Sequence, residues 1–598
     1  MTRNITALFD HVKLVSTSSR VISSQTVRAL QTCGSFLRDC DLSSLSDIEV
    51  QRLTDSFRGL SVCGYSDVET SFTCGSSAEK SESVLESDSA STFGIPVSNR
   101  MSRVRAESLR CLLHIFRQKP DSVKEHWSAL FFDVPGRPGL LSLTISDSCH
   151  FVRRFALHAS VALVKGKSWK FGDSDFPAES DTRGYLTERA MMGGVVRGVL
   201  EGVCKISQNS EDKSSVLAVL PDLAASVPWR RFSDGHCMAL TLIGVALELA
   251  PQIAHESINS VDLRCVFSSL AALLPFAQGI EKKFPGRLQA LFLGSPGSAP
   301  FCEALSAAIG KEDFFRVFAE SGDFQKILEI VRKFLLPGSA VIAGVICAGR
   351  LGSSFAEWGN QNKSNQSVLE LYCQDLFKLA DAVEDGPLLG AIVESIGSII
   401  RGMRRSDIIA CDCETKLQSL IGRASELGPK MRVSVCKCLG EVFTVGLLSL
   451  SLLNDYFDDP VPEVVGAALR AIIVSLSRKD RAIDRSIGLS EAPPGFELAL
   501  LPQDICRKVL SLAEYNSDPR WERVRADAVR CIGWLGVEDF NVEIIASAFD
   551  SKFSGTMNAA FFVLERNFQV SKNEKIREIL RKFVDGKYSQ KARLYLEN

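Results

Sequence analysis

Apolar residues recur through most of this chain at the spacing that places them on one face of an α-helix. From Met101 onward the periodic stretches run for about ten to twenty residues and are separated by Pro, Gly, Asp and Ser. This alternation predicts helices joined by short turns. Alternating strand patterns bounded by hairpin signals are scarce, so the sequence predicts an all-α fold.

Five segments fit one template, which indicates internal repeats. Each starts with an apolar residue and has a small or apolar residue four positions later and another apolar residue five positions later. These offsets lie along one side of a helix, where a small residue permits close approach of a neighbouring helix. The segments begin at Val104, Val152, Met431, Val464 and Val524. Four of them carry an arginine directly after that position: Arg105, Arg153, Arg432 and Arg525.

A residue suited to capping a helix stands just before four of the segments: Asn99, Asp147, Asp459 and Asp518. Asn and Asp side chains accept hydrogen bonds from the unpaired N–H groups of a first helical turn, so we expect these residues to cap helices. The alternative is that any amphipathic helix would match such a template in part.

A chain of 598 residues is longer than one hydrophobic core usually supports. A repeat array avoids that limit, because each repeat buries its apolar face on its neighbours alone. The sequence therefore predicts an α-α superhelix of about ten to twelve helix pairs from Met101 to the C-terminus.

The Asp, Val-Arg and small-plus-Leu pattern resembles HEAT repeats, which form solenoids of the HEAT/armadillo type. Residues 101–251, about a quarter of the chain, resemble more specifically the uncharacterised domain of the HEAT repeat-containing protein six family. The residues that carry this match are Trp127, Asp147 with Arg153, and Trp229 with Arg231. Members of that family are longer and often have Tyr where Trp229 stands. The resemblance implies an armadillo-type fold and brings no catalytic residue with it.

Composition divides the chain further. Residues 1–62 are predicted to be an N-terminal helical segment, and residues 63–100 are a Ser- and Glu-rich stretch without apolar periodicity, which predicts a disordered linker. Residues 101–251 form the HEAT-like domain of the resemblance. Residues 252–598 are predicted to be further HEAT-type helical repeats.

Charge and hydropathy bear on three questions: whether the protein binds nucleic acid or anionic lipid, where in the cell it is located, and whether it spans a membrane. The 69 Lys and Arg against 71 Asp and Glu give a net charge of −2, so no global field favours nucleic acid or anionic lipid. Asp10 and His11 interrupt the first apolar stretch, which leaves no secretory signal, and we expect a cytoplasmic or nuclear location. The apolar runs at 239–249 and 442–453 are shorter than the roughly 20 residues of a membrane span, and they predict buried helices.

Candidate catalytic and metal-binding patterns are weak. Gly166, Lys167 and Ser168 end a phosphate-loop pattern whose first glycine is replaced by Val161, which excludes a nucleotide site of that kind. The seven histidines include no zinc-protease pair, and none follows His255. The sequence predicts no enzyme activity and no cofactor.

The eighteen cysteines include two C-x-C pairs, Cys411 with Cys413 and Cys436 with Cys438, and four thiolates would suit zinc. Residues two apart on a helix diverge by about 200°, however, so a helical C-x-C cannot direct both sulfurs to one ion. Buried reduced thiols are the favoured interpretation, and no metal site is predicted.

Short basic clusters and one tryptophan are the candidate partner-binding residues: Arg153, Arg154, Trp229, Arg230, Arg231, Arg401, Arg404 and Arg405. Aligned on one face of a solenoid, they would bind acidic peptides or phosphates. The alternative is that they are solvated, or paired with Asp to brace adjacent repeats.

The predicted function is a non-catalytic scaffold or adaptor that binds other proteins along the concave face of the solenoid. The alternative is a transport-receptor-like or nucleic-acid-associated scaffold that uses basic clusters in its groove, although nucleic acid is not the favoured partner. An enzyme is a third hypothesis, which would need a polar pocket near Asp147, His150 and His158.

Overall fold

The computed structural model describes most of the chain, with gaps. The described residues are 24–39, 42, 45–62, 97–120, 127–133, 138–166, 182–208, 213–232, 234–255, 260–295, 297–321, 324–336, 341–358, 363–384, 386–403, 405–445, 447–487, 502–514, 518–534, 542–566, 573–584 and 588–597. The predicted linker at 63–100 lies outside them, except for its last four residues, which are helical.

The chain divides into two compact units, Met1–Gly294 and Ser295–Asn598. Every regular element in the described residues is a helix, and no strand occurs among them. The prediction of an all-α fold is therefore confirmed.

The described residues of the first unit form a series of helices, with a 3₁₀ turn at Trp229–Arg231. They are α1 (Ser24–Asp39), α2 (Asp47–Ser61), α3 (Val97–Gln118), α4 (Trp127–Phe131), α5 (Leu140–Ser146), α6 (His150–Gly166), α7 (Thr182–Ser207), α8 (Lys213–Ser226), α9 (Gly235–His255), α10 (Ser260–Leu273), α11 (Ile280–Lys283) and α12 (Arg287–Leu293).

Helices of the first unit form two layers. In the second layer α3, α6, α8 and α10 pack each against the next, and α1 packs on α3. In the first layer α2, α5, α7 and α9 each precede a second-layer helix in the chain, so the unit is a stack of helix pairs. The sequence boundary at residue 251, drawn from the extent of the resemblance, falls inside α9.

The second unit continues the same pattern, with 3₁₀ turns at Phe443–Val445, Leu450–Leu453 and Pro519–Trp521. Its helices are α13 (Ala299–Ile309), α14 (Glu312–Glu320), α15 (Phe324–Lys333), α16 (Ile342–Trp358), α17 (Lys363–Ala382), α18 (Pro387–Gly402), α19 (Arg405–Ala410), α20 (Cys413–Ser425), α21 (Pro429–Val442), α22 (Asn454–Phe457), α23 (Pro462–Ile487), α24 (Gln503–Ala513), α25 (Glu522–Ile532), α26 (Val542–Phe549), α27 (Ser554–Arg566), α28 (Glu574–Lys582) and α29 (Ser589–Glu597).

The second layer of this unit runs in chain order. Helices α13, α16, α18, α21, α23, α25 and α27 pack each against the next, and first-layer helices such as α17, α20 and α24 pack against them. Both units are thus α-α solenoids of the HEAT/armadillo type.

The repeat template corresponds to the faces on which second-layer helices pack. Its first residues are buried, from Val104 at 0% exposure to Met431 at 5%. The residues four positions later are completely buried: Ser108, Ala156, Val435, Ala468 and Ala528. The predicted repeats are therefore real structural units.

Glycines let neighbouring second-layer helices of the second unit touch backbone to backbone. A Cβ on Gly352 of α16 would lie 2.5 Å from the Cα of Ile399 on α18. A Cβ on Gly397 of α18 would lie 2.9 Å from the Cα of Cys438 on α21, and one on Gly440 would lie 2.9 Å from a Cα of α23. These distances are shorter than real Cβ contacts, so each position requires glycine.

Asp147 joins two consecutive repeats of the first unit. Its Oδ1 accepts a hydrogen bond from the backbone N–H of Cys149 at 2.8 Å, which orders the turn before α6. Its Oδ2 accepts from Nε of Arg105, on the preceding second-layer helix, at 3.0 Å. Both side chains are buried.

Asp459 repeats this arrangement in the second unit. It accepts from the N–H of Val461 at 2.9 Å and from Nε of Arg432 on α21 at 2.6 Å. Two further pairs link separate helices: Arg332 with Asp375 and Arg470 with Asp527.

The N–H groups that Asp147 and Asp459 bind belong to residues directly before α6 and α23, so these carboxylates order the preceding turns and do not cap the first helical turn as predicted. The predicted cap at Asp518 is confirmed, because its side chain accepts from the N–H of Arg520 in the 3₁₀ turn that follows. Arg105 and Arg432, which bind Asp147 and Asp459, are not among the candidate partner-binding arginines.

Two further sequence expectations were wrong. Asn99 lies inside α3, which begins at Val97, and therefore does not cap it. The apolar run at 442–453 is not one buried helix, because α21 ends at Val442 and two 3₁₀ turns follow, with Leu452 40% exposed. The run at 239–249 does lie within α9. Among the described helices, none has both the length and the apolar character that a bilayer crossing demands.

A Gly352→Ala substitution should lower the free energy of unfolding by about 2 kcal/mol or more, because the added methyl group meets the backbone of α18 rather than a movable side chain. Urea and thermal unfolding of the full chain measure this loss. Gly422 of α20 is the matched control, since a methyl group added there would meet no atom within 4 Å. Gly422→Ala should stabilise by about 0.5 to 1 kcal/mol, and an equal loss in both variants would contradict the close-contact explanation.

An Asp459→Ala substitution should cost about 2 kcal/mol, because it removes a turn-ordering hydrogen bond and leaves Arg432 without its carboxylate partner. Asp518→Ala is the control: that carboxylate also caps a turn, but it pairs with Arg520, whose side chain is 79% exposed. Its effect on the unfolding midpoint should be clearly smaller. Equal shifts in the two variants would show that the link between repeats adds nothing.

Candidate partner-binding groove

A groove of about 960 Å³ lies on the second layer of the second unit. One wall is a side of α16, and the others are sides of α18 and α21 together with the Gly-Pro turns that precede these two helices. This volume is at the upper end of the range of ligand-binding clefts in proteins. The groove is therefore large enough to hold several side chains of a partner.

The helices α18 and α21 begin at the groove with the same type of N-terminus. Each follows a Gly-Pro dipeptide, Gly386-Pro387 and Gly428-Pro429, with the glycine at the N-cap and proline in the first turn. Neither glycine supplies a side chain to cap the first-turn N–H groups. The positive ends of both helix dipoles therefore lie at the groove, where they favour negative charge.

Two exposed cations line the groove. Arg350 on α16 and Lys430 on α21 are both exposed, and neither forms an ion pair with another described residue. The carboxylate of Glu394 nearby already has partners, since it accepts from Lys437 Nζ at 2.8 Å and from Ser434 Oγ at 2.8 Å. The charge available to a ligand is thus positive.

The wall formed by α16 also presents apolar surface. Ile342 and Ile346, four residues apart and so on one side of the helix, are 41% and 49% exposed. Ala391 on α18 continues this surface across the groove. Exposed isoleucines beside exposed cations are a mixture that suits an amphipathic ligand.

Arg401, a predicted partner-binding residue, is instead an internal brace of the same helices. Its side chain is 6% exposed, and its guanidinium lies 3.3 Å from a carboxylate oxygen of Glu357 on α16 and 3.1 Å from one of Glu441 on α21. It also donates to the carbonyl of Ser353 at 3.0 Å. Burial lowers the pKa of Arg401, and Glu357 opposes that change. The Arg401 side chain is therefore not available to a partner.

Trp229 is also unavailable to a partner. It is 1% exposed, and its indole N–H donates to the carbonyl of Ala224 at 2.8 Å. The neighbouring Arg230 is exposed and lies 5.5 Å from the ring centre of Phe276, a cation–π contact. Arg231 belongs to the same 3₁₀ turn, but its side chain is outside the described residues. Trp229 thus fixes the turn before α9, and Arg230 remains a candidate.

The other predicted basic residues are dispersed. Arg153 donates to the carbonyls of Asp147 and Ser148 at 2.9 and 3.1 Å, which ties it to the turn before its own helix. Arg154 is half-buried on α6. Arg405 begins α19, but its side chain is outside the described residues, as is all of Arg404. None of the candidates whose side chains are described lines the groove.

Little in the sequence indicated Arg350, Lys430, Ile342 and Ile346 as groove residues. Each is an ordinary helical residue when taken alone, and their proximity depends on how three repeats stack. The Gly-Pro dipeptides before α18 and α21 were the available signal, because they mark helices that start without a side-chain cap.

The polar set that would have supported an enzyme is used in packing. Asp147 binds Arg105, and the ring of His150 lies 3.9 Å from that of Phe151. Burial, followed by the nearby Arg154 and Arg117, lowers the pKa of His158 to about 4. His158 is consequently neutral at physiological pH.

Comparisons with known proteins give the fold and no family. No family model matches the chain, and no curated protein matches it. Among solved structures, importin-beta in an ammonium sulfate condition is similar at 10% identity, with 98% of this chain and 82% of that chain covered and a TM-score of 0.41. Yeast importin-beta (Kap95p) has 12% identity, 100% and 69% coverage and a TM-score of 0.42.

A third similar structure concerns a phosphorylation switch that controls the interaction between cadherin and beta-catenin. It has 12% identity, covers 98% of each chain and has a TM-score of 0.41. At these values the comparisons assign no function, and the solenoid class rests on the helix packing described above.

The buried His158 predicts a pH dependence of stability. Its unfolded form takes up a proton near pH 6.5, whereas the folded form does so only near pH 4. Because the unfolded state binds more protons in this interval, the free energy of unfolding should fall by about 1.4 kcal/mol per pH unit as the pH drops. A His158→Gln variant should lack this component in urea unfolding between pH 7 and 4. His236→Gln, at an exposed histidine, is the control, and it should keep the wild-type slope.

Proposed function

We propose that this protein is a non-catalytic scaffold whose groove binds an acidic segment, carrying apolar side chains, from another protein. The observation that supports this most directly is the combination of Arg350 and Lys430, both exposed and without ion pairs among the described residues, with the exposed Ile342 and Ile346. In an acidic amphipathic segment, the carboxylates would bind the two cations and the apolar side chains would pack on the two isoleucines.

In this mechanism the partner's carboxylates bind Lys430, Arg350 and the first-turn N–H groups of α18 and α21. Its apolar side chains pack on Ile342 and Ile346 and provide the desolvated centre of the contact. The charges accelerate and orient association, and the apolar contact slows dissociation.

The groove chemistry supports binding over catalysis. Among the described residues that line it, none is a histidine or a cysteine. The hydroxyl of Ser395 donates to the carbonyl of Val345 at 2.9 Å, and that of Ser434 donates to Glu394 at 2.8 Å. These hydroxyls therefore serve the packing of α16, α18 and α21, and neither is paired with a histidine that could act as its general base.

The transport-receptor-like or nucleic-acid-associated alternative is less well supported. A phosphate backbone would need a continuous basic strip, but Glu394 and Glu441 line the same groove as the two cations. Membership of the HEAT repeat-containing protein six family and a location in the cytoplasm or nucleus remain predictions of the sequence.

The test is a comparison of partners bound by three forms of the tagged full-length chain. The groove variant is Ile346→Glu with Lys430→Glu. The control is Ile409→Glu with Lys552→Glu, which changes the same residue types at exposed positions outside the groove. Both variants have the same composition and net charge. Each bound fraction is analysed for proteins and nucleic acid at low and high salt.

We expect one or more proteins to be bound in stoichiometric amounts by the wild type and the control and to be reduced about tenfold or more with the groove variant. An acidic segment within that protein, made as a peptide, should compete. Retention of the same proteins by the groove variant would contradict the proposal. Recovery of nucleic acid that is lost steeply with salt would favour the alternative.

A further inference from the structure

Three cysteines of the second unit meet where α17 passes the junction between α19 and α20. Cys373 lies in the middle of α17, Cys411 directly follows α19, and Cys413 is the first residue of α20. The Sγ atoms of Cys373 and Cys413 are 3.8 Å apart, within contact distance of a thiol–thiol hydrogen bond. The Sγ of Cys411 accepts from Nε2 of Gln374, also on α17, at 3.8 Å.

The cluster exists because Cys411 and Cys413 are not on one helix, contrary to the sequence expectation. Asp412 between them has φ 51° and ψ 42°, the left-handed conformation, and is the only described non-glycine residue with positive φ. It ends one helix and begins the next. The 200° divergence of a helical C-x-C therefore does not apply, and both residues lie against α17.

The surroundings of the cluster are fixed. Lys416 donates from Nζ to the carbonyl of Cys411 at 2.8 Å and lies 6.0 Å from the ring centre of Phe377. Cys373 and Cys413 are completely buried, whereas Cys411 is 8% exposed, so the cluster lies directly beneath the surface. No group of metal-ligand geometry is present among the described residues, so these thiols are not arranged as a metal site.

The two buried thiols have different acidities. The hydrogen bond with Cys373 lowers the pKa of Cys413, and Lys416 acts in the same direction against the effect of burial. The same hydrogen bond raises the pKa of Cys373. Cys413 also occupies the first turn of a 13-residue helix, where the helix dipole favours a thiolate. The helix start and the nearby Lys416 thus both favour the thiolate form of Cys413 over that of Cys373.

We propose that Cys373 and Cys413 are a redox modification site, at which a hydroperoxide converts the thiol pair into a reversible disulfide. The Cys413 thiolate attacks the outer peroxide oxygen, the O–O bond breaks, and an alkoxide or hydroxide leaves and takes a proton from water. The resulting Cys413 sulfenic acid reacts with the Cys373 thiol, and water leaves as the S–S bond forms. Two thiols are oxidised and one hydroperoxide is reduced to an alcohol or water.

Geometry makes this bond accessible. A disulfide requires an S–S distance of about 2.05 Å, so the two sulfurs must approach by roughly 1.8 Å from their present 3.8 Å. Rotation about the Cα–Cβ bond of a cysteine displaces its sulfur by a distance of this order, so side-chain motion contributes most of the approach. The bond would tie α17 to α20, the first-layer helices of two consecutive pairs, and so restrain any separation of those pairs.

The experiment treats the reduced full-length protein with increasing hydrogen peroxide, blocks remaining thiols by alkylation and identifies disulfide-linked peptides by mass spectrometry without reduction. The exposed Cys237 is the internal measure of peroxide dose. We expect the Cys373–Cys413 linked peptide at doses that oxidise Cys237, and its disappearance after treatment with dithiothreitol. Because this readout uses the wild-type chain, it does not depend on whether a cysteine variant folds.

Variants then test the assignment. Cys413→Ser should abolish the linked peptide, while Cys438→Ser, at another completely buried cysteine of the unit, should leave it unchanged. Oxidation should raise the thermal unfolding midpoint of the wild type and of Cys438→Ser by a few degrees, and should not raise that of Cys413→Ser. Absence of the linked peptide while Cys237 is oxidised, or pairing of Cys411 in its place, would overturn the proposal.

Discussion

Direct contact between helix backbones is the constraint on which the second unit depends. Gly352, Gly397 and Gly440 place consecutive second-layer helices so close that a single methyl group would separate them. At such separations the helices have little freedom to slide, because main-chain atoms of one occupy the space between side chains of the next. The position of each glycine therefore sets the register of a whole repeat, including the first-layer helix that covers it.

Hydrogen bonds and ion pairs between polar side chains also fix the position of one repeat against the next. Asp147 and Asp459 each order the turn before a helix and bind an arginine of the preceding repeat, so that formation of one repeat prepares a contact for the next. In the groove region, Arg401 of α18 links its neighbours on both sides, because it lies between Glu357 of α16 and Glu441 of α21. A row of such links makes the stability of neighbouring repeats interdependent, as expected for quasi-one-dimensional folds.

Local chemistry explains what could be predicted from the sequence. The turn-ordering hydrogen bonds of Asp147 and Asp459 and the burial of the template residues depend on the near neighbours of each residue, which the sequence displays. The burial of Arg401 and the thiol contact of Cys413 depend on helices tens of residues away. The left-handed Asp412 had no signal in the sequence either, since nothing in the residue type required it. The groove was predictable only in part. Its Gly-Pro turns can be recognised in the sequence, but its cations and isoleucines become neighbours only when the repeats stack.

The glycine contacts and the groove share the same stretches of helix. Gly349 and Ser353 line the groove on either side of Gly352, and Ser398 and Glu441 line it directly after Gly397 and Gly440. The main-chain contacts therefore hold α16, α18 and α21 together along the groove itself and fix its width before any ligand arrives. A partner segment would meet a preformed channel, so binding would cost little conformational entropy on the side of the solenoid.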